Sequence, residues 1–427
     1  MKIISYRQAL FKKEFNKLLN RFELGEEPVE RKVKSILADV KTNGDAAVIK
    51  YTRLFDHLSL KKGALNISRS QIHSAYKRAD PMVVKSLKFA AGRIIAFHKH
   101  QKTESWSYKK GKVTLGQIVR PMDRVGLYVP GGKAAYPSSL LMNAIPAIVA
   151  GVKEIVVCFP ALRGEINPYV LVAADILGIK EIYPIGGAQA VAALAFGTHS
   201  VKKVDKIVGP GNIYVATAKR LVFGWVDIDM IAGPSEVLVI ADDSADPGYV
   251  ASDLLAQAEH DQKAYPICLT PSMNLAKKIS FEIILKLQNM KRRDIASVSI
   301  QNNGVIFVTQ SLKHAIELGN LLAPEHLELE VRNPELWMKK ITHAGALFLG
   351  HYTPEAVGDY LAGPNHVLPT GGTARFSSPL CVEDFVKKTS LISYSKGELA
   401  KVSEDVIRLA NAEGLTGHAH SMEIRGK

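Results

Sequence analysis

Cysteine is scarce: Cys158, Cys268 and Cys381 are the only three in 427 residues. They are too few and too scattered for a disulfide framework, and no two make a CxxC pair of the kind that holds zinc or cycles as a dithiol. That suits a reducing compartment. No apolar run approaches the ~20 residues of a membrane span. The N-terminal MKIISYRQALFKKEFNKLL carries charge throughout, unlike the apolar core of a signal peptide. The expectation is a cytoplasmic protein with no membrane association. Low-complexity tracts and repeats at solenoid periods are missing too, and no segment matches the GxGxxG dinucleotide fingerprint.

Acidic residues are in deficit, 41 against 55 Lys and Arg, for a formal charge of +14. The excess is uneven. From Lys77 to Arg124 there are twelve basic residues against Asp80, Glu104 and Asp123. Such a stretch reads as a solvated helix face, because no aromatic residues interleave with it in a nucleic-acid-binding pattern. A field of that sign would also gather an anionic dinucleotide. With 47% hydrophobic and 22% charged residues, the chain has the composition of a globular protein of two to three domains.

From Arg124 onward, short Val- and Ile-rich runs alternate with helical patterns, the signature of βαβ units around a parallel sheet. The runs at 124–129, 154–159, 181–185, 205–208 and 236–241 predict strands. Helices are expected from Leu140 and Ala188. After Pro247 the alternation resumes with a helix, strands from Pro266 and Gly304, and a helix from Ser311. The first 120 residues read mostly helical: Ser68 and Gln71 are spaced as a capping box, and Val83, Leu87, Ala91, Ile94 and Ile95 share one helix face.

Several segments carry residue types suited to chemistry. In ASDLLAQAEHDQ (251–262), Gln257 and His260 are three apart and project from one helix face. Spacing alone does not choose between a ligand pair and an ordinary core or surface histidine. In APEHLELEV, adjacent Glu325 and His326 follow Pro324 before a strand. An imidazole titrating close to neutrality beside a carboxylate suits proton transfer, provided that both lie in the irregular turn. The loop 357–380 holds Asp359, His366, four glycines and three prolines, a binding-loop composition. Near the end, EGLTGHAHSMEIR supplies Glu413, His418 and His420, which by themselves read as a solvated tail. Gln257, His260, Asp359 and His418 together make a nitrogen and oxygen set that suits zinc in an open, catalytic site. Two glycine-rich turns, GLYVPGGKAAYPSS (126–139) and VGPGNIYVATAKR (208–220), lead from strand to helix as phosphate-binding turns do, and equally as ordinary connections.

YVPGGKAAYPSSLLMNAIPA, GGAQAVAALAFGT, VGPGNIYVATAKR, DMIAGPSEVLVIAD, LLAQAEHD, LAPEHLEL, DYLAGPNHVLPTGGTARFSSPL and EGLTGHA, in this order, closely resemble the motifs of histidinol dehydrogenases over roughly residues 30–425. The resemblance implies an α/β fold: two incomplete Rossmann-like domains with small, mainly helical N- and C-terminal segments. The expected division is a helical segment 1–25, a first α/β domain of 26–125 with 238–380, a second of 126–237, and a helical arm 381–427 exchanged between subunits of a homodimer. It further implies one zinc per subunit on Gln257, His260, Asp359 and His418, and Glu325 and His326 as the acid/base pair. Ser235, His366 and Glu413 would join the zinc ligands and His326 around L-histidinol, and Tyr128, Gln189 and Asn212 would line the NAD site.

Under that resemblance the expected reaction is oxidation of L-histidinol to L-histidine through the aldehyde with two NAD, the last step of histidine biosynthesis. The substrate's amine and imidazole suit a metal with open positions. No cysteine nucleophile is needed: Cys158 and Cys268 sit in apolar strand patterns, and only Cys381 is a candidate for a place near the site. A zinc hydrolase would draw on the same residue types, and a nucleic-acid-binding protein would rest on 77–124 alone.

Overall fold

The computed structural model describes residues 1–21, 27–131 and 136–426. Its strands are β1 (Lys2–Ser5), β2 (Trp106–Lys110), β3 (Val113–Pro121), β4 (Arg124–Tyr128), β5 (Glu154–Cys158), β6 (Glu181–Tyr183), β7 (Lys206–Val208), β8 (Asp227–Ile228), β9 (Glu236–Ala241), β10 (Tyr265–Thr270), β11 (Val305–Val308), β12 (His326–Glu330), β13 (Ala346–Leu349) and β14 (Val386–Tyr394). They form two parallel sheets and one small antiparallel sheet.

The five-stranded sheet has the order β6-β5-β4-β7-β8 and the six-stranded sheet β1-β11-β10-β9-β12-β13. Counted from β4 and from β9, both follow the doubly-wound order 3-2-1-4-5, with β1 added at one edge of the larger sheet. The order reverses between β4 and β7 in one and between β9 and β12 in the other. Central parallel strands are covered by helices on both faces, so they read as continuous apolar runs. The run Val237–Ala241 in β9 is fully buried, and the expected strands around it are present.

Two parts of the expected organisation differ from the packing. The helices Glu27–Asn43, Asp45–Asp56, Arg69–Arg78 and Pro81–Lys99 do not pack on the six-stranded sheet with 238–380. They lie against the helices Gly187–Phe196, Ile213–Val222, Pro168–Ile176 and Pro137–Ala150 of the five-stranded sheet. Val33, Ile36 and Val40 share a core with Val191 and Leu194, and Leu87 and Ile94 share one with Leu140 and Leu171. An amphipathic stripe shows that a helix is buried, not on what. The start of the chain, expected to be helical, opens with β1, which pairs with β11 before the helix Leu10–Leu19. The proposed boundary between residues 25 and 26 lies outside the described residues.

The C-terminal arm is also not wholly helical. β14 pairs antiparallel with β3 along nine residues, and β2 pairs on the other side of β3. The helices Lys396–Ala412 and Thr416–Gly426 then pack on each other and bury little but Ala410 and Ala419. Local details at the N-terminal end hold: Ser68 and Gln71 form the capping box. Of the stripe expected on Pro81–Lys99, Leu87, Ala91 and Ile94 are buried, whereas Val83 is exposed.

Candidate functional site

The site grows from the amino ends of β9 and β12. Helix Pro247–Ala258 starts at Asp246, whose side chain accepts from the amides of Gly248 and Tyr249, and runs antiparallel to the strands it follows. Its C-terminal end therefore delivers Gln257 to the amino edge of the sheet. His260, expected on the same helix, lies in the turn just beyond it, where its amide donates to the Gln257 carbonyl at 3.2 Å.

Ala323 takes a left-handed conformation (φ 45°), ends the preceding helix and turns the chain into Pro324-Glu325-His326. His326 opens β12, and Glu325 sits one residue before it, so both reach one place despite being neighbours. Glu236, the first residue of β9, holds the two through its main chain. Its amide donates to Glu325 Oε2 at 2.9 Å, and its carbonyl accepts from His326 Nδ1 at 3.0 Å. Only a protonated Nδ1 can make the second bond, which leaves the lone pair on Nε2. Nε2 is buried without a hydrogen-bond partner among the described residues.

Helix Glu355–Tyr360 brings a carboxylate from each end, Glu355 and Asp359, one turn apart. Asp359 Oδ1 is 3.9 Å from His326 Nε2, and Glu355 Oε1 is 3.8 Å from His326 Nδ1. His260, Glu355 and Asp359 each place one ligand atom within 4.8 Å of the others. Both amide atoms of fully buried Gln257 lack a partner among the described residues. An orphaned buried carboxamide costs free energy unless something satisfies it, and its oxygen is a competent ligand for a divalent cation. The donors present fit such an ion. His366 closes the group: its Nδ1 is 2.9 Å from the Asp359 carbonyl and its Nε2 is 3.3 Å from Ser139 Oγ.

Burial dominates the electrostatics here. Without a cation it pushes Asp359 up to about 7 and Glu325 and Glu355 well above the usual carboxyl range. It also pulls His326 down to about 3 and His366 down to about 4. Burial thus disfavours the imidazolium of His326 and moves its titration below the near-neutral range expected of it, so the ring is neutral. Ser235, half-buried, immediately precedes β9. A cavity of about 470 Å³ opens on His260, walled by Leu87, Ile94, Tyr136, Arg292 and Tyr360.

Glu413 and His418 stand apart. Both are exposed on the arm, at the end of one helix and the start of the next, outside the cluster. Cys381 caps the short turn Val382–Phe385, and burial holds its thiol up at about 11. Cys158 and Cys268 are core residues, as expected.

The residues expected to bind the dinucleotide gather at the carboxyl edge of the five-stranded sheet. Tyr128 ends β4, and its hydroxyl accepts from the Gly187 amide at 3.1 Å. Gln189 is 1% exposed with both amide atoms unpartnered among the described residues. Gly209 follows β7 at φ 111°, and a Cβ there would stand 2.0 Å from the Tyr128 carbonyl, so this close approach admits only glycine. Asn212 is exposed and caps the helix Ile213–Val222, accepting from the amides of Tyr214 and Val215. The N-termini of this helix and of Gly187–Phe196 offer amide donors suited to an anionic group. Residues 132–135 of the turn 126–139 lie outside the described residues.

Sequence reasoning missed Glu355, Glu328 and Glu236. The spacing of Glu355 and Asp359 was a signal, and so was HLELE: a covered parallel strand should be apolar on both faces, yet His326, Glu328 and Glu330 alternate along one face of β12, all buried.

Fold and site together define a two-sheet α/β enzyme with a cation-competent cluster beside a proton-transfer pair. A sequence profile described as histidinol dehydrogenase matches residues 19–426. The chain is 51% identical over 428 residues to the histidinol dehydrogenase of Syntrophotalea carbinolica, covering all of this chain and 99% of that one. It is 53% identical over 411 residues to that of Caldanaerobacter subterraneus subsp. tengcongensis, 96% of each chain. The crystal structure of histidinol dehydrogenase from Elizabethkingia anophelis superposes with a TM-score of 0.93 at 37% identity, covering 100% of this chain and 98% of that one. The chain belongs to the histidinol dehydrogenase family and is an oxidoreductase.

Proposed function

We propose that the chain oxidises L-histidinol to L-histidine by way of histidinal, as the last step of histidine biosynthesis, using two NAD per substrate. The observation that carries the reading is the convergence of His326 Nε2, without a partner among the described residues, on Asp359, which in turn lies with His260 and Glu355 in one ligand cluster. The orphaned Gln257 amide enters the chain three residues before His260. Gln257, His260 and Asp359 would hold a zinc ion, with His418 from the arm of a second subunit completing the set. When bound, zinc would supply positions for the substrate's amine and imidazole, and NAD would supply the hydride acceptor.

The chain's own residues do the remaining work. His326, its Nδ1 proton committed to the Glu236 carbonyl, takes the carbinol proton at Nε2 as the alcohol is oxidised. Glu325 lies 3.7 Å from the same imidazole and, as the carboxylate, draws a proton from the water that adds to the aldehyde. Once that first proton has left Nε2 for solvent, His326 accepts the proton of the hydrated aldehyde in the second oxidation. Ser235, His366 and Glu413 of the second subunit's arm orient the substrate, while Tyr128, Gln189 and Asn212 line the dinucleotide site. The active unit is a cytoplasmic homodimer with shared sites, and its two α/β domains are centred on the two parallel sheets.

The test is a stoichiometric assay. Histidinol with excess NAD should yield two NADH and one histidine, and histidinal should yield one NADH. A single NADH per histidinol, or consumption of histidinol without NADH, would overturn the reading.

A further inference from the structure

Glu236 presents its main chain to both members of the proton-transfer pair, and its own side chain is held from far away in sequence. Arg21 reaches it across 215 positions: Nε bonds Oε2, and Nη2 donates to Oε1 at 2.9 Å, a two-pronged ion pair with 2% and 1% side-chain exposure. The same guanidinium donates through Nη2 to the Leu322 carbonyl and through Nη1 to the Leu18 carbonyl, both at 2.9 Å. Leu322 ends the helix that precedes the Ala323 turn into Glu325 and His326. Glu236 Oε1 also accepts from the Gly371 amide at 2.8 Å, in the glycine-rich loop that carries His366.

One ion pair therefore ties together the start of β9, the entry to β12 and the loop beyond His366. A buried charge pair of this kind contributes little net stability compared with apolar replacements, because both charges lose their hydration. Its rigid, planar geometry does fix where the attached main chain lies. We propose that Arg21 and Glu236 are positioning residues. By pinning the Glu236 peptide groups, they hold His326 in the tautomer with Nε2 free and hold the Glu325 carboxyl beside the same imidazole. This rests on the acid/base reading of Glu325 and His326 given above.

The test compares Arg21→Met, Arg21→Lys and the double variant Arg21→Met with Glu236→Gln, scored for kcat, KM for histidinol, zinc content and thermal midpoint, beside His326→Ala. A displaced acid/base pair should lower kcat by roughly 100-fold in Arg21→Met, with KM changed by no more than about 2-fold because Arg21 and Glu236 bind no substrate themselves. Zinc content should be unchanged. Arg21→Lys, which keeps a charge but loses the fork, should recover only part of kcat. The double variant removes both buried charges, so it should fold and regain the thermal midpoint without regaining kcat. This arm decides the matter if Arg21→Met alone is unstable. Recovery of kcat together with stability in the double variant would reduce the pair to a structural role and overturn the proposal, as would wild-type kcat in folded Arg21→Met. If His326→Ala is itself fully active, the acid/base reading has failed rather than the role of Arg21.

Discussion

The two parallel sheets share one strand order yet are put to different uses. In the five-stranded sheet the central strands are apolar, and the conspicuous features lie beyond the carboxyl edge, where Tyr128 and Gly209 meet at the reversal between β4 and β7. This is where open α/β sheets ordinarily bind ligands. In the six-stranded sheet the cluster lies at the same reversal, between β9 and β12, but on the amino edge. There β12 carries His326, Glu328 and Glu330 along a single face where a covered strand would ordinarily carry Val or Ile. Topology thus sets where a crevice forms, and the side chains of one strand decide which edge becomes chemical. The first sheet should tolerate losses as a scaffold does; the second should lose function before it loses its fold.

The largest expected effect is at His326. His326→Ala should lower turnover by roughly 10²- to 10⁴-fold in the oxidation of both histidinol and histidinal while leaving a folded protein, as rapid-quench and circular-dichroism measurements would show. A loss confined to one of the two oxidations would break the assignment of a single base.

Next comes the arm. Inactive His418→Ala and inactive His260→Ala subunits, dissociated and reassociated together, should regain activity, because a mixed dimer pairs an intact arm with an intact cluster at one of its two sites. Activity remaining at background in purified tagged heterodimers would place His418 in the site of its own chain.

The scaffold prediction is energetic. Leu171, 1% exposed in the core of the five-stranded sheet, should on change to Ala cost about 2–5 kcal/mol of stability by denaturant titration, with kcat per folded molecule near wild type. A large fall in kcat at unchanged stability would erase the contrast between the two sheets.

The smallest effect sharpens the contrast from the other side. Burial, with Asp253 and Asp246 nearby, pushes Glu330 up to about 8. A carboxyl group raised in the native state binds more protons folded than unfolded between the two pKa values. Its contribution is therefore fully present below about 4.5 and is lost as pH rises toward 8, at up to about 1.4 kcal/mol per pH unit. Glu330→Gln should flatten that decline and make the protein more stable than wild type at the alkaline end. An unchanged pH slope would mean that Glu330 ionises freely in the folded chain.

Legibility in the sequence followed the same division. Most strands of the two parallel sheets were readable because buried parallel strands are continuous apolar runs, whereas the edge strands β1, β8 and β13 were not. Ser68 with Gln71 was readable because a cap is local. The antiparallel β2, β3 and β14 went unread, since β2 is exposed on every residue and its partners are only partly covered. The Gln257 and His260 pair was legible in type but not in setting, because only the fold shows that the amide is orphaned. Arg21 and Glu236 could not be paired across 215 positions without the fold. The roles of Glu413 and His418 came from family resemblance alone: nothing local separates them from an exposed tail.

The central claim is that the amino edge of the six-stranded sheet is a metal-dependent oxidation site. Elemental analysis of purified His260→Ala, beside wild type and Leu171→Ala, tests it most directly. The account predicts about one zinc per chain in wild type and in Leu171→Ala, because a catalytic site keeps its ion when the scaffold is merely weakened. It predicts clearly less than one in folded His260→Ala, with turnover falling in step. Full zinc occupancy in His260→Ala would contradict it.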